Sequence, residues 1–285
     1  MRKNAFGVSA YAKWELIMSV PKYLERGTGR EALVLLHGIG GRADVWEPQL
    51  EAFSSRYRVI AWYMPGYGGS SPLPEMTFPA LADALETLLG SLRATRVHLV
   101  GHSMGGMVAL EFLRHRASAL ASVCLYATNP GIARPETPEA ADAARARAEE
   151  FFRRRMGPID SGMSMREMAE GLLDRLLAAN APESARIAAI ESVSAVPPDV
   201  YRQAMRAFLS FDGTDVVPTI RLPTLVIAGS EDCTMPPRVV EAMARQIPGV
   251  RFEVIPGVGH LANLEKPPTF NRVLADFLKT VSRVS

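Results

Sequence analysis

The sequence predicts an α/β fold: a mostly parallel sheet with helices on both faces, interrupted by an all-helical insertion. Three observations predict it. Short β-branched and Leu-rich runs recur, most of them closing on Gly, and continuous apolar runs of this length mark strands covered on both faces. Segments with apolar residues at helical spacing alternate with them, and that alternation builds a parallel sheet. Between residues 131 and 213 the rhythm stops, and helical patterns follow one another with no convincing strand.

The strand runs are "ALVLLHG" (32–38), "RVIAWY" (58–63), "RVHLVG" (96–101), "ASVCLYAT" (121–128), "PTLVIAG" (223–229) and "RFEVIPG" (251–257). Between them, "DVWEPQLEAFSSR" reads as a helix with Asp44 as its N-cap and Glu47 three residues on. Residues 78–92 and 103–117 repeat apolar residues at helical spacing. The interruption holds "TPEAADAARARAEEFFRRRM", "SMREMAEGLLDRLLAAN", "PESARIAAIESVSA" and "PPDVYRQAMRAFLSF", each opened by Ser, Thr or Pro. The expected organisation is a core of residues 1–130 and 214–285 and a helical cap, or lid, of residues 131–213. Arg- and Glu-rich patches in the cap read as solvated faces. Its Met156, Met163, Met165, Met168 and Met205 read as packing residues, with an adaptable apolar pocket as the alternative.

The chain has 285 residues, 48% of them hydrophobic, which is enough for a sizeable core. A net charge of +2, with no basic run or acidic tail, points away from nucleic acid and membrane surfaces as partners. The two cysteines, Cys124 and Cys233, have neither metal-ligand spacing nor the pattern of a disulfide framework, which fits a reducing compartment. The opening "MRKNAFGVSAYAKWELIM" is interrupted by Lys13 and Glu15 and lacks the apolar stretch of a secretory leader. A cytoplasmic protein acting on a small molecule is the expectation. Oligomeric state leaves no trace in the sequence.

One stretch carries chemistry. "LVGHSMGGMVAL" (99–110) sets Gly101, Gly105 and Gly106 around Ser103, against the preferences of strand and helix alike. It fits G-x-S-x-G after a strand and before a helix, the context in which a sharp turn presents a serine hydroxyl at a sheet end. The N-terminus of the following helix favours developing negative charge there. A serine needs a base, and the base needs an orienting carboxylate. Of five histidines, His98 lies in a strand run and His115 near a helix end; both read as structural or surface residues. His102 adjoins Ser103 at a tight turn and points away from it, and His37 reads as a loop brace. His260, in "PGVGHLANLEKP", is the candidate base. "LVIAGSEDCTMPP" supplies the carboxylate, Asp232 by preference, with Glu231 as the alternative.

With these residues in place, the chain resembles the α/β-hydrolase family. The matching pieces are "LLHGIGG" with Trp46, "PGYGGSS", "GHSMGG", "LPTLVIAGSEDCTMPP" and "GVGHLANLEKPPTFNRVLADFL", from about residue 30 to 279. Ser103, Asp232 and His260 fall in the family's nucleophile–acid–base order. The resemblance implies an oxyanion hole built from the N–H of Met104 and that of Ile39, with Gly40 the alternative to Ile39. It implies no metal or organic cofactor. Tyr63 departs from the pattern: the family usually has an aspartate there, a loop anchor, so the departure bears on loop rigidity and not on the triad.

The leading function is a serine hydrolase acting through an acyl-enzyme on a carboxylic ester or lactone of a small to medium hydrophobic substrate. Enol-lactonases of aromatic degradation are similar at "HLANLEKP". C–C bond hydrolases of ring-cleavage products share the Ser-Met-Gly-Gly elbow but typically have Asn before the serine and Trp after the histidine, where this chain has His102 and Leu261. Ser103 argues against haloalkane dehalogenases and epoxide hydrolases, which use an aspartate. Cofactor-free perhydrolases and dioxygenases share the triad layout. A ligand receptor on the same fold is a different class, and retention of all three triad residues weighs against it.

Overall fold

The computed structural model describes residues 19–131 and 137–283. The N-terminal stretch in which no secretory leader was read lies outside the described residues. Among the described residues seven strands form one sheet in the order β1-β3-β2-β4-β5-β6-β7. They are β1 Tyr23–Arg26, β2 Glu31–Leu36, β3 Arg58–Trp62, β4 Arg96–His102, β5 Ser122–Tyr126, β6 Thr224–Gly229 and β7 Arg251–Ile255. All neighbours run parallel except β1 and β3, which are antiparallel. The runs read from sequence became β2 to β7. β1 was not anticipated: it is a four-residue edge strand, half-buried at Tyr23 and Leu24 and exposed at Glu25 and Arg26, with no apolar run to mark it.

The central strands are buried on both faces, as continuous apolar runs require. Helices α1 (Glu47–Phe53), α2 (Phe78–Leu92), α3 (Met104–Arg116), α9 (Pro237–Ala244) and α11 (Pro267–Arg283) supply the cover, and a single turn, α10 (Ala262–Glu265), precedes α11. α2 packs on α3, α3 on β4 and β5, α11 on α1 and β7, and α9 on β6. The chain leaves β2 for β3 on one side and returns to β4 on the other. That reversal opens a crevice beyond the carboxyl ends of β2 and β4, where α/β sheets place ligands.

Between β5 and β6 lie α4 (Pro138–Asp160), α5 (Met165–Glu170), α6 (Leu173–Leu176), α7 (Glu183–Ser194) and α8 (Pro198–Ser210), and no strand among the described residues. The start signals act as expected: Thr137 Oγ1 accepts from Ala140 N–H, and Ser164 and Glu167 form a reciprocal cap. A bridge from Gly131 to Asp212 and the bond from Gly213 N–H to Pro130 oxygen (2.7 Å) join the two ends of the segment. Met156, Met165, Met168 and Met205 are buried, and Met163 is exposed. Met163 and Met168 line a surface cleft between α4 and α5.

Asp44 does not cap α1. A 3-10 turn, Ala43–Trp46, precedes the helix, and α1 begins at Glu47 with Pro48 in its first turn and no side-chain cap. The Asp44 carboxylate accepts instead from the Tyr63 hydroxyl at 3.1 Å and pairs with Arg42 at 3.1 Å. Tyr63 is itself an anchor: its N–H donates to Lys22 oxygen (2.7 Å), and its oxygen accepts from Ser70 Oγ (2.7 Å). Among the described residues no helix is long and apolar enough to cross a membrane.

Candidate active site

The three glycines around Ser103 are explained by close approach. A Cβ on Gly101 would lie 2.5 Å from Gly105 oxygen, one on Gly105 2.6 Å from Leu36 oxygen, and one on Gly106 2.5 Å from Thr128 Cγ2. The helix thus seats directly on the ends of β2, β4 and β5. Ser103 sits at the junction with φ 52° and ψ −119°, a conformation that costs a non-glycine residue about 1–3 kcal/mol. Surrounding bonds hold it there. Ser103 N–H donates to Tyr126 oxygen (2.9 Å), and Ser103 oxygen accepts from Thr128 Oγ1 (2.7 Å) and Gly106 N–H (2.9 Å). The side chain is partly exposed, in contrast to the buried Gly101, His102 and Met104.

The loop after β2 runs against this serine: a Cβ on Gly38 would lie 2.8 Å from Ser103 Cβ. His37 braces that loop. Its Nε2 accepts from Met64 N–H at 3.1 Å, which places the proton on Nδ1, donating to Gly38 oxygen at 2.9 Å. Burial pushes its pKa down to about 4. Ile39, next in the loop, is partly exposed. Met104 opens α3, where N–H groups lack intrahelical acceptors.

His260 and Asp232 are brought together. His260 Nδ1 donates to Asp232 Oδ2 at 2.7 Å, and both residues are buried. Asp232 Oδ1 accepts from Thr234 N–H (2.8 Å) and Met235 N–H (2.7 Å), which fixes the carboxylate. Glu231 is exposed. With the Nδ1 proton committed to Asp232, Nε2 of His260 carries the lone pair.

His102 is committed to a different contact. Its ring lies 4.6 Å from that of His260 between centroids, and its Nε2–H donates to His260 oxygen at 3.0 Å. Burial holds its pKa well below the usual histidine value, with the neighbouring His260 adding to the shift. The Tyr126 hydroxyl donates to the same oxygen at 2.7 Å. Two donors therefore clamp the His260 carbonyl. Tyr126 and Thr128 were not singled out from sequence; the available signal was their place at the end of the β5 run, beside β4.

A cavity of about 30 Å³ lies between the Gly38–Gly41 loop, His102 and His260. Leu176, Ala189, Ser192 and Val193 close it from the helical segment. Ser192 Oγ donates to Gly40 oxygen at 3.0 Å.

A second Ser–His–carboxylate chain shows that residue types alone do not define a site. His98 contacts Ser122 Oγ at 2.8 Å and Glu31 Oε2 at 3.1 Å, at the opposite end of the sheet. Ser122 and His98 are each 1% exposed, so no substrate reaches them. His115 is exposed on α3.

A seven-stranded sheet with a strained serine between strand and helix, and a buried histidine–aspartate pair beyond later strands, defines an α/β hydrolase. The family described as "alpha/beta hydrolase fold" matches residues 31–267, and the chain belongs to it. It is 29% identical over 257 residues (87% of this chain, 91% of the relative) to a protein of Caulobacter sp. (strain K31) whose provisional name is carbamate hydrolase RutD. It is 26% identical over 260 residues (88% and 89%) to 3-oxoadipate enol-lactonase 1 of Acinetobacter baylyi. Among solved structures, a thermophilic esterase from Thermogutta terrifontis superposes with a TM-score of 0.76 at 33% identity, covering 91% of this chain and 93% of that one.

Proposed function

We propose that the protein is a serine hydrolase that cleaves a carboxylic ester or lactone through an acyl-enzyme. The observation that carries this reading is the strained Ser103 at the crevice between β2 and β4, with the His260–Asp232 pair on the same side of the sheet. Ser103 Oγ attacks the substrate carbonyl carbon while His260 Nε2 takes its proton. Asp232 holds the imidazolium. The N–H groups of Ile39 and Met104 receive the oxyanion, each donor being worth about 3 kcal/mol of barrier. His260 then returns the proton to the leaving alkoxide, and water attacks the acyl group by the reverse route. A lactone follows the same course with the alcohol still tethered.

The enol-lactonase and esterase among the relatives support acyl transfer. The helical segment 131–213 acts as the lid in this reading, since Leu176, Ala189 and Val193 meet His260 across the small apolar cavity. We place the protein in the cytoplasm, in keeping with Cys124 and Cys233 both being free thiols.

Hydrolysis of p-nitrophenyl esters from acetate to octanoate, by wild type beside Ser103→Ala, tests the proposal. Multiple turnover that disappears in the variant is expected. Equal turnover by Ser103→Ala would overturn it.

A further inference from the structure

Glu265 is buried, 6% exposed, and the mechanism above gives it no part. Its partners are all backbone. Oε1 accepts from Gly259 N–H at 2.9 Å and Leu261 N–H at 3.3 Å, and Oε2 accepts from Ala178 N–H at 2.9 Å. Among the described residues it makes no ion pair. The N–H between those two, that of His260, donates to Leu176 oxygen at 2.8 Å. Three consecutive N–H groups around the base are thus taken up by one carboxylate and one strap of the helical segment. The approach is close enough that a Cβ on Gly259 would lie 2.8 Å from Leu176 oxygen.

A carboxylate that accepts several N–H groups fixes their directions more firmly than a neutral acceptor does. Burying it without a cation is costly unless those bonds are made. Glu265 therefore stays in place only while Ala178, Gly259 and Leu261 all point at it. This arrangement ties the His260 loop to residues 176–178. The His260 carbonyl is held from the other side by His102 and Tyr126, so the backbone of the base is gripped at both ends.

We propose that Glu265 is a positioning residue: its carboxylate, by accepting the N–H groups on either side of His260 and that of Ala178, holds the His260 ring in register with Asp232 and couples that register to the 176–178 strap. The inference rests on the serine-hydrolase reading. It adds a control point at which a movement of the helical segment changes the strength of the base.

The test uses a fluorophosphonate probe on wild type, Ser103→Ala, Glu265→Gln and Glu265→Asp. Ser103 Oγ bonds to phosphorus, fluoride leaves, and His260 takes the proton. Labelling of wild type and not of Ser103→Ala upholds the underlying reading; labelling of both, or of neither, overturns that reading and the proposal with it. Given labelling at Ser103, Glu265→Gln turns an amide NH₂ toward N–H donors and removes the charge. Folded Glu265→Gln is expected to label about 10- to 100-fold more slowly, with the downfield His260 Nδ1 proton resonance weakened. Glu265→Asp, which keeps the charge, is expected to recover part of the rate. A folded Glu265→Gln that labels at the wild-type rate, with that resonance unchanged, overturns the proposal. Should neither variant fold, hydrogen exchange of wild type decides. The amides of Ala178, Gly259 and Leu261 are expected to open in one concerted step; free exchange of Ala178 beside protected Gly259 and Leu261 overturns the coupling.

Discussion

Acid should destabilise this protein through His37 before it titrates most carboxylates. His37 is fully buried between Met64 N–H and Gly38 oxygen. Its pKa lies at about 4 in the folded chain, against an ordinary value of 6.5, because burial disfavours the charged ring. A second proton would also place two facing donors at Nε2. The sign follows from linkage. Below pH 6.5 the unfolded chain takes up the proton while the folded chain does not, so stability falls as pH drops, until the folded group titrates near pH 4. Between pH 7.5 and 4.5 the loss from this one group is about 2.5 kcal/mol. Urea unfolding of wild type and His37→Gln at both pH values checks it. The glutamine can accept the Met64 N–H but does not titrate. Its stability relative to wild type should improve by about 2.5 kcal/mol at the acid pH, other groups being common to both proteins. An unchanged difference would refute the reasoning.

Other outcomes follow from single contacts. Asp232→Asn should lower kcat by about 10³- to 10⁴-fold with little change in KM, because the amide no longer selects the correct His260 tautomer; steady-state kinetics measure it. Gly106→Ala drives a Cβ into Thr128 and disturbs its bond to Ser103 oxygen, so a stability loss of about 1–3 kcal/mol should accompany a larger loss of kcat. Adding Thr128→Ser, which removes the methyl met at 2.5 Å, should recover part of both in thermal melts and assays. Val193→Ala removes the side chain that abuts Gly40 and lines the cavity beside His260. The preferred acyl or alcohol chain should lengthen, at a cost of about 1–3 kcal/mol in stability.

The strands β2 to β6 were legible because a strand buried on both faces must be apolar throughout, and that leaves a continuous run; β7, an edge strand half-buried over most of its length and exposed at Val254, was legible only from its short run of Phe252, Val254 and Ile255. β1 was not, because an edge strand exposing Glu25 and Arg26 has no such run. Ser103 was legible through its glycines, each of which the packing of α3 on the strand ends requires. Asp44 misled: a side chain that favours helix starts serves equally well as an acceptor for Tyr63. The choice between Glu231 and Asp232 turns on which carboxylate the loop buries, which adjacent residues of the same type do not reveal. Glu265 escaped notice for a deeper reason. Its partners are backbone N–H groups, present at almost every residue, so they leave no mark in the sequence. Likewise the helical patterns of residues 137–210 do not say that Leu176 and Val193 meet the histidine; that depends on how the helices pack.

The central claim is that Ser103 carries the acyl group. Rapid quenching during p-nitrophenyl acetate turnover, followed by peptide mass spectrometry, tests it most directly. An acetyl group on the peptide bearing Ser103, accumulating in wild type and absent in Ser103→Ala, is the predicted result. Turnover with Ser103 unmodified throughout, or with the acyl group on another residue, would contradict it.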